Sequence, residues 1–191
     1  ENPVSYDFYW DLVWITPDDI PVNQTNAAYI SSYVETWVEN YAKRRYGSDS
    51  NNIINAWKLL STSVYGYKTY DGTSYNTIMT SNPRLFANSV DGGEAAYMGG
   101  YYNPLYEGRD LERAFLLLMK EFNTLKGEET YIYDICDIML QIVCNSSGVY
   151  LEKMAKAVNN KNSEEFDGYK RKFLRCMQFA DEINMYIQDM M

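Results

Sequence analysis

Two rows of apolar side chains, each spaced by four residues, constrain this chain more than any other feature. Tyr29, Tyr33, Trp37 and Tyr41 form one row, and Ile30, Val34, Val38 and Ala42 run beside it. Residues four apart share one face of an α-helix, so two adjacent rows make a broad stripe that has to be covered by other apolar groups. The spacing predicts a helix over about 26–46. Lys43, Arg44 and Arg45 fill its last turn, where cations meet the negative end of the helix dipole, and Gly47 can take the left-handed conformation that ends helices. The basic triplet reads first as a helix terminus with a solvated face; an anion site is the alternative.

The same periodicity recurs along the chain. Asn2-Pro3 looks like a cap followed by proline at the first helical position, opening a helix to about Trp14. Tyr6, Tyr9, Trp10, Val13 and Trp14 give it one aromatic face, and Pro17 and Pro21 end it. A third helix over about 49–65 carries Ile53, Ile54, Trp57, Leu60, Ser61 and Val64 as its stripe. A fourth spans about 107–125, with Leu111, Ala114, Phe115, Leu118 and Phe122 inward, and is broken by Lys126-Gly127. The fifth runs over about 128–158, with Ile135, Met139, Ile142, Val143, Val149 and Met154 as core candidates and a possible bend at Ser146-Ser147-Gly148. Asn162 or Ser163 caps the sixth, and Glu165 is placed for a capping box with Asn162. Phe166, Tyr169, Phe173, Cys176, Met177, Ala180, Ile183 and Ile187 form its inner face. No alternation is long enough to build a sheet. The expected fold is all-α, a single domain over 1–191 of about six mostly antiparallel helices.

Between the third and fourth helices lies a stretch of another kind. Residues 66–106 hold glycines at 66, 72, 92, 93, 99 and 100 and prolines at 83 and 104, the residues that punctuate turns. They also hold Tyr67, Tyr70, Tyr75, Phe86, Tyr97, Tyr101, Tyr102 and Tyr106. Disordered linkers lack such apolar content. Loops beyond roughly 12–15 residues inside compact domains are usually functional. The stretch is read as an ordered loop presenting tyrosines, carboxamides and a few charges on a helical scaffold.

With 191 residues, 46% hydrophobic, the chain can bury a sizeable core. A net charge of −9 argues against nucleic acid as a partner, since phosphate binding needs a basic face. No run of about 18 apolar residues occurs, so no segment is expected to span a membrane. No leader pattern is visible at Glu1. The chain has no histidine, which removes His-based triads and His-ligated zinc; no metal and no cofactor are expected. Cys136, Cys144 and Cys176 read as buried reduced thiols, with a bridge to Cys176 as the alternative. Asn23-Gln24-Thr25 and Asn145-Ser146-Ser147 are glycosylation sequons, relevant where the source glycosylates secreted chains.

Several segments resemble one known family. They are Asn2-Pro3-Val4-Ser5-Tyr6 with Asp11-Leu12-Val13-Trp14, the run from Trp37 to Gly47, Ala56-Trp57-Lys58-Leu59-Leu60 with Ser63-Val64-Tyr65, Tyr102-Asn103-Pro104 running into Ala114-Phe115-Leu116-Leu117-Leu118, and Tyr133-Asp134-Ile135-Cys136-Asp137. In these the chain resembles the C-terminal helical region of the α-N-acetylglucosaminidases, glycoside hydrolase family 89. The W-V-x-x-Y-A-x-R-R-Y-G string is the specific part; the helical tail from Ala155 onward adds little. The resemblance implies a parent that removes terminal α-linked N-acetylglucosamine from glycans with retention, which needs two carboxyls roughly 5–5.5 Å apart. In the family both sit on a (β/α)8 barrel, the second in a Pro-Glu-Gly segment ahead of the stretch matching Asn2-Pro3-Val4. No catalytic residue is therefore assigned to this chain, which alone is expected to be inactive. Its implied partners are the missing catalytic barrel of the same polypeptide and an N-acetylglucosamine-containing glycan, and its implied location is secreted, periplasmic or lysosomal.

The resemblance also implies that a loop of this region, here 66–106, forms a wall of the substrate pocket. A Trp-Tyr-Asn motif of the family matches Tyr101, Tyr102 and Asn103, with tyrosine in place of tryptophan at 101. Tyr101 and Tyr102 can offer a sugar an apolar face and hydroxyl hydrogen bonds; alternatively they anchor the loop on itself. Glu94 reads as a turn carboxylate, Arg84 as a brace for the loop, and Asn103 before Pro104 as a turn residue. The family's Arg-Pro-x-Leu element is altered here to Asn82-Pro83-Arg84-Leu85. A free-standing carbohydrate-binding or protein-interaction module is the second reading. An enzyme built on Asp18/Asp19 or Asp134/Asp137 is the third. The first reading expects a large apolar surface on the isolated chain, favouring self-association.

Overall fold

The computed structural model describes residues 3–13, 27–65 and 108–190, apart from the side chains of 3, 5, 12, 13 and 27–30. Within them lie seven helices and no strand: α1 (Pro3–Val13), α2 (Ala27–Tyr46), α3 (Asn51–Thr62), α4 (Gly108–Met119), α5 (Phe122–Leu125), α6 (Glu129–Asn159) and α7 (Ser163–Met190). The all-α expectation holds for these residues. The chain divides into two compact units, and their described parts are 3–13, 27–65 and 109–132 in the first, and 108 and 133–190 in the second.

The first unit is built on the stripe of α2. Trp37, Val38, Tyr41, Ala42 and Tyr46 are buried, whereas Tyr33, nearer the helix start, is 37% exposed. Gly47 ends the helix at φ +61°, and the Ser48 amide donates to the Lys43 carbonyl at 3.2 Å, the reach-back bond of a Schellman cap. A short turn then starts α3. The Ser50 hydroxyl accepts from the Asn52 amide at 3.2 Å, satisfying one of the free donors of the first turn. Lys58 of α3 meets Glu39 of α2 at 3.4 Å, so the two helices run antiparallel. Ile53, Ile54, Trp57 and Leu60 are buried as their spacing requires, and Ala56 joins them.

The fourth predicted helix divides into α4 and α5. The Lys120 and Glu121 amides reach carbonyls three residues back, on Leu117 and Leu118, which tightens and ends the turn. The Leu118 carbonyl also accepts the Tyr131 hydroxyl at 2.6 Å. Past this break Phe122 swings outward and is 37% exposed, which corrects its expected inward placement.

Tyr131 is fully buried, and burial, with the Glu121 charge adding, pushes its hydroxyl pKa up to about 12. The folded protein therefore keeps a proton that the unfolded chain gives up near pH ~10. The stability from this residue is complete below that pH and is lost as pH rises towards about 12. Tyr131→Phe should cost about 0.5–1.5 kcal/mol at neutral pH and flatten this alkaline loss. Urea denaturation at neutral pH and at about pH 11 reads both effects.

In the second unit, α6 and α7 form an antiparallel hairpin. Lys172 lies over the Tyr150 ring at 5.7 Å and Lys153 over the Tyr169 ring at 5.4 Å, which sets the register. The Asn162 side chain accepts from the Glu165 amide at 3.2 Å, one half of the expected capping box. Ala180 and Ile183 are buried, and Phe166, Tyr169, Phe173, Cys176, Met177 and Ile187 are half-buried on the same side, as their spacing predicts. Helix α6 runs unbroken through Ser146-Ser147-Gly148. The buried Ser147 hydroxyl donates to the Cys144 carbonyl at 2.7 Å, so it is satisfied without opening the helix. Ile135, Val143 and Met154 are buried as expected, while Val149 is 43% exposed against expectation; Ile138 and Cys144 take core places instead. All three cysteines are free thiols, and burial, with Cys176 nearby adding, raises the Cys144 pKa to about 11.

Candidate functional site

Aromatic rings form a connected path through the first unit. Phe8 meets Trp37 edge-on at 5.0 Å, Trp37 stacks on Tyr41 at 5.1 Å, and Tyr41 meets Trp57 edge-on at 4.9 Å. Trp57 stacks on Tyr65 at 6.1 Å with the ring planes 12° apart. Tyr46 ties Trp57 to Tyr131, at 6.3 and 5.4 Å. The i, i+4 spacing of Trp37, Tyr41 and Arg45 puts all three on one face of α2. Arg45 lies over both the Tyr41 and Trp57 rings, at 5.6 and 5.3 Å, where the ring faces attract a cation. Tyr65 thus fixes the chain at the residue from which the 66–106 stretch departs.

That arrangement decides how the basic triplet is used. Lys43 pairs with Glu39 at 3.1 Å, Arg44 with Asp11 at 3.1 Å, and Arg45 rests on aromatic faces. All three cations are engaged within the unit, which supports the helix-terminus reading over an anion site.

The shifted carboxylates point away from acid catalysis. Asp11 accepts from the Trp37 indole at 2.7 Å and from Arg44 at 3.1 Å, and the indole bond first, then the guanidinium, holds its pKa below the ordinary value. Glu39 is lowered by Lys43 and Lys58. Glu121 is lowered by hydrogen bonds from Asn52 at 2.6 Å and Ser50 at 2.7 Å. A glycosidase acid needs a pKa raised towards neutrality, and these environments do the reverse. They are structural clamps, and no sequence pattern pointed to the Glu121 clamp because its partners lie about seventy residues away.

Glu121→Ala should cost about 1–2 kcal/mol, because it leaves the α3 cap hydroxyl and the Asn52 side-chain carboxamide without their shared acceptor. Since its folded pKa is depressed, the contribution is present above the unfolded value and is lost as pH falls through the folded one. Denaturation midpoints of the parent and variant should therefore converge in acid.

The residues singled out in the long stretch, Tyr101, Tyr102, Asn103, Glu94 and Arg84, lie outside the described residues, as do Asp18, Asp19 and the Asn23 sequon. Asp134 is buried and Asp137, three residues on along α6, is exposed. Among the described residues no group of three or more His, Cys, Asp or Glu could hold a metal ion, and no helix is long and apolar enough to cross a membrane.

The chain has relatives. Residues 37–190 match the family model described as the α-N-acetylglucosaminidase (NAGLU) C-terminal domain. A human α-N-acetylglucosaminidase is 25% identical over 162 residues, which is 84% of this chain and 18% of that protein. Among solved structures, a Clostridium perfringens family 89 glycoside hydrolase variant in complex with its substrate GlcNAc-α-1,4-galactose matches with a TM-score of 0.74 and 28% identity, over 95% of this chain and 18% of that one. A family 89 glycoside hydrolase from the same organism in complex with PUGNAc matches with a TM-score of 0.72 and 25% identity, over 95% and 19%. The chain therefore spans about a fifth of the length of these relatives.

Proposed function

The chain belongs to the α-N-acetylglucosaminidase C-terminal domain family, and on that premise we propose that it is the non-catalytic helical part of a retaining exo-glycosidase that removes terminal α-linked N-acetylglucosamine from glycans. It braces a catalytic barrel and lends that barrel one wall of the substrate pocket, the 66–106 loop with Tyr101, Tyr102 and Asn103. The observation that carries this reading is the match of a C-terminal domain model to 37–190, in relatives of which the chain covers 18–19%. The described carboxylates add support. Those with shifted pKa values are held ionised by donors and cations, in roles that stabilise helix ends and helix pairs.

The ring path supports the pocket-wall role physically. A loop places its side chains precisely when its root is held by locked supporting residues. Tyr65 is stacked on Trp57, which is itself 1% exposed and gripped by α2 and Arg45. The test is the anomer released by the full-length protein from an aryl α-N-acetylglucosaminide, followed by proton NMR. The α anomer of N-acetylglucosamine should appear first and mutarotate afterwards. Appearance of the β anomer first, or no release, would overturn the assignment.

A further inference from the structure

The three cysteines all lie in the second unit, and its packing decides which of them can meet. Helices α6 and α7 run antiparallel, with Lys172 over the Tyr150 ring at 5.7 Å and Lys153 over the Tyr169 ring at 5.4 Å. Carried one turn further along the hairpin, that register sets Cys176 level with residue 146, half a turn from Cys144. The level of Cys136 falls ten residues past Cys176, about 15 Å away at 1.5 Å per residue. Along α6 itself Cys136 and Cys144 are about 12 Å apart, too far to bridge. Cys144 is buried, and Cys176 is half-buried on the same side of α7 as Ala180 and Ile183. The Cys176 charge is also one of the two causes that raise the Cys144 pKa, so the two thiols are neighbours across the hairpin.

All three are free thiols in the structure. We propose that Cys144 and Cys176 become joined by a disulfide when the folded protein meets a disulfide oxidant such as oxidised glutathione, a covalent staple between α6 and α7 that leaves Cys136 reduced. The Cys176 thiolate attacks one sulfur of the oxidant, forming a mixed disulfide and releasing one thiolate. The Cys144 thiolate then attacks the Cys176 sulfur, forming the bridge and releasing the second. The two cysteine protons pass through solvent to the two released thiolates, so the pair is oxidised by two electrons and the oxidant is reduced to two thiols. Cys176 makes the first attack because it is the less buried of the two. It borders an open groove also lined by Arg171, Lys172 and Arg175, cations that draw an anionic oxidant towards it. Cys144, with its pKa at about 11, is thiolate in roughly one molecule in 10⁴ at neutral pH, so it reacts slowly with anything dissolved. Once the mixed disulfide stands on Cys176, its target is held beside it. The closed loop holds about 30 residues, long enough for the link to remove much of the freedom of the unfolded chain. The staple is independent of the glycosidase reading.

The experiment incubates the full-length protein with oxidised glutathione at about pH 8, native and unfolded in denaturant, then alkylates it, digests it without reduction and maps the links by mass spectrometry. In the native sample the Cys144–Cys176 link should exceed every other link made by these three cysteines at least ~10-fold, with Cys136 alkylated, because only that pair lies within bridging reach. In the unfolded sample links to Cys136 should become comparable. Cys136→Ala should leave the native link unchanged, whereas Cys176→Ala should remove it and leave Cys144 reduced. A native protein that stays fully reduced, stops with glutathione on Cys176, or links Cys136 would overturn the proposal. A native preference no greater than that of the unfolded chain would overturn it as well. Turnover of an α-N-acetylglucosaminide is read separately, so failure of the enzyme reading leaves the staple standing, and a missing link leaves the enzyme reading standing.

Discussion

Trp57→Ala should destabilise the helical domain by about 3–5 kcal/mol, a large part of the roughly 5–15 kcal/mol that holds a typical domain together. Trp57 is 1% exposed and touches Tyr41, Tyr46 and Tyr65 while Arg45 covers its ring. Truncation removes that contact area and leaves a cavity bounded by rings that cannot all move into it. The indole nitrogen is buried without a hydrogen-bond partner among the described residues, so the loss comes from packing and from the cation–ring contact. Trp57→Phe should therefore cost much less, about 1–2 kcal/mol, since it keeps an aromatic body and forfeits no bond. Urea denaturation followed by far-ultraviolet circular dichroism measures both. A loss below about 1 kcal/mol for the alanine variant would mean that the ring path does not carry the first unit.

The second large effect concerns activity. On the proposed function, Tyr101→Ala in the full-length protein should lower kcat/KM for an α-N-acetylglucosaminide at least ~10-fold, or ~1.4 kcal/mol of transition-state binding. The proposed role is an apolar platform against the sugar or its acetamide, so Tyr101→Phe should keep most of the activity. That pattern separates a platform from a hydrogen-bond donor, which the phenylalanine variant would also lose. An unchanged kcat/KM for the alanine variant would remove residue 101 from the pocket.

The fold was legible where apolar spacing and caps agreed. Gly47 behind three basic residues marked the end of α2, and the left-handed glycine with its Ser48–Lys43 bond stands there. The inner face of α7 matched residue by residue because a long amphipathic helix leaves little choice. The failures share a physical cause. Phe122 and Val149 have inward spacing, but one lies past the break between α4 and α5, where the Leu118 carbonyl takes the Tyr131 hydroxyl, and the other on a helix whose core face is shared with Ile138 and Cys144. On α1 the spacing marked one aromatic face without saying which way it turns; Tyr6, Tyr9 and Trp10 lie exposed while Phe8 meets Trp37 and an indole–carboxylate bond joins residues 26 apart. Such long-range polar contacts leave no periodic trace. The basic triplet shows the converse: its residue types suited an anion, and only the positions of Glu39, Asp11 and the Trp57 ring assigned its partners. Of the pocket-wall loop, the sequence offered aromatic content and a resemblance at Tyr101, Tyr102 and Asn103, and neither specifies geometry.

The account stands on the placement of the chemistry outside these helices. Its most direct test is to give a chromogenic α-N-acetylglucosaminide to the 191-residue chain and, in parallel, to the full-length protein. The full-length protein should release chromophore while the 191-residue chain, folded and at equal concentration, releases none. Release by the chain alone, abolished by substitution of one of its own carboxylates, would contradict the account.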